Sequence, residues 1–133
     1  MKHTIYKTFE IDIYKVKLHL IVIKDNITNV IKEFGLTDEG KEINEQSNAF
    51  CEAKLIDRQL NLFLIFRTDY FTPFYITHEV FHAVGYIANS VNIIYDFDNE
   101  EPLAYLNGYI NELLLKEYLE LVMQKIYQSN KEF

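Results

Sequence analysis

The chain has 133 residues and a mass of 15.8 kDa, which suits a single domain spanning residues 1–133, and its 49% hydrophobic and 15% aromatic content is ample for one packed core. A formal net charge of −7, with no Lys/Arg cluster to offset it, argues against a nucleic-acid backbone or an anionic membrane as the partner. Cys51 is the only cysteine, which excludes an internal disulfide and a cysteine-rich zinc knuckle, so any metal must be held by His and carboxylate.

Lys7, Glu10, Asp12, Lys15 and Lys17 interrupt every apolar run near the start, so no signal peptide is read and a cytoplasmic location is expected. In residues 5–13, Ile5, Phe9, Ile11 and Ile13 alternate with polar neighbours, the pattern of a half-buried strand. The parity then flips near Tyr14 and Lys15, and Val16, Leu18, Leu20 and Val22 carry a second strand after a turn or bulge. His19 falls on the polar parity with Lys15 and Lys17 and is expected to be exposed, as is the terminal His3. Asp25 or Asn26 can cap a short helix through Val30, Ile31 and Phe34 that stops at Gly35. Residues 36–46 are polar and acidic and read as a solvated loop.

Residues 48–56 alternate again, with Ala49, Cys51, Ala53 and Leu55 on one side, and a hairpin turn at 57–59 leads into residues 60–67. Both parities of that last strand are apolar, so it should be central and covered on both faces. Thr72 followed by Pro73 is a strong helix start. The helix should run to about Asn92, with Phe74, Thr77, Phe81, Val84, Ala88 and Val91 as its core stripe. Residues 95–99 then connect to a last helix, opened by Glu100 or Glu101 with Pro102 and reaching about Gln128. Straight, it would be about 40 Å long, so it must bend, split or project. Its leucines wrap more than one face, which means either a buried helix or a homodimer surface.

The chemistry concentrates in His78-Glu79-Val80-Phe81-His82, an H-E-x-x-H motif inside the helix opened by Pro73. Histidines four apart lie on one face, so both imidazoles can converge on one zinc ion. Glu79 is placed to take a proton from water and is the general-base candidate. A catalytic zinc needs a third protein ligand. No histidine follows His82, and Ala88 stands where a metzincin has its third histidine, so a carboxylate must complete the site. Asp96, Asp98, Glu100 and Glu101 are the nearest downstream.

With eighteen residues between His82 and Glu101, residues 72–108 resemble the gluzincin zinc metallopeptidases, with the spacing of the aminopeptidase N type. The resemblance implies a zincin-like α+β fold, in which an antiparallel or mixed sheet of about four strands precedes the motif helix and a C-terminal helix carries the third ligand. It implies His78, His82 and Glu101 as zinc ligands, Glu79 as the base, and hydrolysis of a protein or peptide substrate. Two departures stand out. Tyr105 takes the position where several gluzincins place an aspartate that holds a zinc histidine; its hydroxyl either accepts the same imidazole proton or donates to a developing oxyanion. No Gly-x-Met-Glu-Asn segment is present to grip a free N-terminus. The alternative to an enzyme is a zincin-fold binding or regulatory module. Gly85 and Gly108 lie on the ligand-bearing faces of their helices and suggest a close helix approach.

Overall fold

Four strands and three helices make up the computed structural model, which describes residues 3–24, 27–36, 48–94 and 96–131. The expected caps at Asp25 or Asn26, the acidic stretch 37–46, the side chain of His3 and Tyr95 lie outside the described residues. The order is β1 (His3–Ile11), β2 (Val16–Ile23), α1 (Ile27–Glu33), β3 (Ala49–Ile56), β4 (Gln59–Arg67), α2 (Pro73–Ser90) and α3 (Glu100–Lys131). This is an α+β fold with one mixed sheet in the order β1-β2-β4-β3, in which only the central pair β2 and β4 is parallel.

Local chemistry explains the connections. Between β1 and β2 the chain makes a short 3-10 turn, Asp12–Tyr14, and Lys15 takes the left-handed region at φ 54°, which produces the parity flip. The β3–β4 turn has only two residues, Asp57 and Arg58, with φ of 52° and 66°; two positive φ values mark the turn whose twist matches the flanking strands. Proline at the first position of α2 gives up only an amide that would be orphaned anyway. At its end Asn92 adopts φ 59°, and the Ile93 amide donates to the Ala88 carbonyl at 2.8 Å, a left-handed helix stop.

Both faces of the sheet are covered. Leu18, Leu20, Val22, Leu62, Leu64 and Phe66 pack beneath Ile76, Val80 and Ile87 of α2 and Leu103, Ile110 and Leu114 of α3. On the opposite face, Ile21, Ile23, Phe63 and Ile65 pack against Ile27, Val30 and Ile31 of α1. Each such fully buried aliphatic contributes about 1.5–3 kcal/mol, so the β2–β4 pair is the centre of stability. Across the first face Lys7 of β1 donates to Glu117 of α3 at 2.7 Å, tying the outer strand to the long helix. That bond is the main reason the Lys7 pKa is raised.

Four expectations are corrected here. His19 is buried, because Phe63, Asn61, Thr8 and Tyr6 of the neighbouring strands surround it on its face of the sheet. Its ring stacks on Phe63 at 4.4 Å, its Nε2 lies 2.8 Å from Asn61 Oδ1 and its Nδ1 lies 3.3 Å from Thr8 Oγ1. Asn61 Nδ2 donates to the Gln59 carbonyl, which leaves its Oδ1 toward the ring, so His19 Nε2 is the donor of the bond between them.

The core stripe of α2 is rotated from the expected one. Ile76, Val80, Ala83, Val84, Ile87 and Ala88 are buried, while Phe74 and Phe81 are 70% and 74% exposed. Two apolar arcs adjoin on this helix, and the sheet takes the aliphatic one. The last helix is an unbroken 32 residues, about 48 Å at the standard rise. It is not a buried helix throughout: Leu103, Leu106, Ile110 and Leu114 are covered, whereas Leu119, Met123, Ile126 and Tyr127 are exposed on a projecting end. Nor do the glycines serve a close approach, since a Cβ built on Gly85 or Gly108 meets nothing within 4 Å.

Candidate metal centre

The face of α2 opposite the sheet carries the motif. His78 and His82 are both exposed, and their Nε2 atoms stand 3.3 Å apart with the rings at 72° to one another. Two zinc–nitrogen bonds of about 2.0–2.1 Å at a tetrahedral angle span about 3.3 Å. The separation of the pair matches the bite of one zinc ion. Phe74 stacks alongside His78, and Phe81 stands edge-on to His82, so exposed aromatics flank both imidazoles.

Glu79 points elsewhere on the helix. It is only 6% exposed, with Oε1 4.0 Å from the Nε2 of His78. Burying a carboxylate is costly unless it is paired or hydrogen-bonded. Edge strand β3 lies beside this part of α2. Tyr86 donates to Glu52 at 3.4 Å, and Asn48 donates to the hydroxyl of Tyr75 at 3.4 Å, so two tyrosines on the motif helix fasten it to the strand.

The third ligand is less assembled. Among the described residues, no three His, Cys, Asp or Glu side chains are grouped closely enough to hold a metal. Asp96 is engaged in capping, its Oδ1 accepting from the amides of Asp98 and Asn99 at 3.0 Å each. Glu101 is exposed and lines a hollow on α3 with Tyr105, Gly108 and Glu112. Glu100 instead faces α2, in a hollow with Phe81, Val84 and Gly85. Consecutive helical residues point about 100° apart, so only one of the two glutamates can face α2 at a time.

Tyr105 is 76% exposed and borders Ile13 and Tyr14 of the β1–β2 connection as well as Glu101. The structure does not bring it to the histidines. The phenol it does place there is Tyr86, which shares a hollow with His82, Gly85 and Asn89. Its position four residues past His82 is the signal that could have found it, since residues four apart share a helix face.

No family model, curated protein or solved structure matches the chain. The functional reading therefore rests on the motif, the fold and the side chains around the two histidines.

Proposed function

We propose that the chain is a small, zincin-like, zinc-dependent peptidase acting on a protein or peptide. The observation that carries this reading is the pairing of two exposed imidazoles at zinc-binding separation with a buried carboxylate one residue along the helix. His78 and His82 hold the metal, and the first turn of α3 supplies the carboxylate, assigned to Glu101 by its eighteen-residue spacing from His82. Zinc, when bound, polarises the scissile carbonyl and lowers the pKa of water. Glu79 takes the proton from the attacking water and returns it to the departing amine. Strand β3 is the last in the order β1-β2-β4-β3 and lies beside α2, where an extended peptide can be laid against the sheet.

A second reading is a zincin-fold binding or regulatory module without turnover. It is favoured by one observation, that Glu101 and Tyr105 line hollows apart from His78 and His82. The Glu79→Gln variant separates the two. Its amide keeps the shape and removes the proton acceptor, so it should retain zinc and fold while hydrolysis of a peptide library falls by about 10²- to 10⁴-fold. If the zinc-loaded wild-type chain and the variant are equally inert over that library, the binding-module reading replaces the enzyme.

A further inference from the structure

Helix α3 carries apolar side chains on two opposite sides. Toward the sheet, Ile110 and Leu114 are fully buried. Leu119, Met123, Ile126 and Tyr127 are 58%, 63%, 50% and 61% exposed. At 100° per residue, Leu119, Met123 and Ile126 fall within about 60° of one another, on the side away from Ile110. Every residue from Met123 to Lys131 is exposed. Helices in proteins owe most of their stability to packing an apolar face, and the described chain gives this face no cover. Leu115, Leu119, Val122 and Ile126 follow one another at steps of four, three and four residues, the seam of a two-helix coiled coil.

The seam complements itself in one orientation. Two antiparallel copies with a two-fold axis between Glu120 and Leu121 set Leu119 against Val122 of the second copy and Leu115 against Ile126, which makes four apolar layers. Charge selects the same orientation. The segment holds three glutamates, Glu112, Glu117 and Glu120, and three lysines, Lys116, Lys125 and Lys131, so it is neutral on a chain of net charge −7. Lys7 of the same chain engages Glu117 at 2.7 Å and stands 4.0 Å from Glu120. Exposed Glu112 is left at the start of the seam, and exposed Lys125 and Lys131 at its end. Parallel copies would set glutamate on glutamate and lysine on lysine. In the antiparallel pair, Glu112 of one copy lies about 3 Å along the axis from the level of Lys131 of the other, so opposite charges meet at both ends.

We propose that the chain forms an antiparallel homodimer through this seam, with a second copy as the occupant of the exposed face. The pairing is isologous, each contact occurring twice about the two-fold axis. It does not depend on the metal centre. A contact between two helices over about 20 residues is smaller than a standard interface, which places Kd at about 1–100 µM.

Sedimentation equilibrium of the full chain from about 5 to 500 µM should show monomer and dimer with that Kd. Leu119→Glu and Ile126→Glu should each raise Kd at least about 100-fold, since each change is felt twice. Circular dichroism should stay native in both, because both side chains are exposed. Phe97→Ser, at a side chain 96% exposed outside the helix, should leave Kd unchanged. A nitroxide on Asn130→Cys, with the native Cys51 buried, reads the orientation by pulsed electron paramagnetic resonance. Asn130 lies about 14 Å along the helix from the two-fold axis on each copy, so the distance between labels should be about 30 Å. A chain that stays monomeric over the whole range overturns the dimer, and sedimentation of that monomer with phosphatidylcholine vesicles would give the face to a membrane surface instead. A dimer unaffected by both seam variants overturns the interface, and a label distance below about 20 Å overturns the antiparallel orientation.

Discussion

The Nε2 atoms of His78 and His82 stand 3.3 Å apart on the exposed face of α2, the separation that one tetrahedral zinc ion imposes on two imidazoles. Purified protein should accordingly carry about one zinc per chain, and His78→Ala and His82→Ala should each remove it while leaving the fold intact, because neither histidine is buried. Elemental analysis with circular dichroism on the same samples checks this. Protein that neither contains stoichiometric zinc nor takes it up would remove the metal centre.

The assignment of the third ligand predicts a difference between adjacent glutamates. Glu101→Ala should weaken zinc binding by more than the about 10- to 100-fold that loss of a group supporting a ligand costs, and Glu100→Ala should leave it near wild type. Titration with a zinc-buffered indicator distinguishes them. If Glu100→Ala is the variant that loses zinc, the ligand is the residue that faces α2 in the structure, one position earlier than the spacing indicates.

His19 should give the fold an acid sensitivity. Burial lowers its pKa from 6.5, with Lys17 acting in the same direction, against the hydrogen bond to Asn61 and the charge of Glu10, which raise it. The unfolded chain therefore binds the proton more readily than the folded one between the folded pKa and 6.5. Stability from this group is complete above 6.5 and is lost as pH falls toward the folded pKa, with a slope of at most about 1.4 kcal/mol per pH unit. Urea unfolding of wild type and His19→Gln across this range should show the slope in the former and its reduction in the latter. Equal slopes would mean that other groups carry the acid response.

Gly108 sits in the interior of α3 with open space where its side chain would be. Gly108→Ala should stabilise the protein by about 0.8–1.0 kcal/mol, raising Tm by about 3–4 °C, through helix propensity alone. Calorimetry that finds Gly108→Ala destabilised would show that a neighbour approaches this face after all.

Much of this protein is written in short-range pattern. Thr72-Pro73 opens α2, residues four apart put His78 and His82 on one face, Asp57-Arg58 turns β3 into β4, and the doubly apolar run before Thr68 marks the centre of the sheet. Each depends on a backbone period or a single turn geometry, which neighbours in the chain decide among themselves. Other features depend on how elements far apart in the chain are rotated against each other. His19 is buried because Phe63 and Asn61 of β4 and Tyr6 and Thr8 of β1 flank it, and the histidine has no local signature of those neighbours. Which apolar arc of α2 meets the sheet, and so the burial of Glu79 and the exposure of Phe74 and Phe81, follows from packing against β2 and β4. The directions of Glu100, Glu101 and Tyr105 are set in the same way, by the angle at which α3 lies on α2, since a helix wheel fixes side chains relative to one another and leaves the wheel free to turn until a second surface is docked against it.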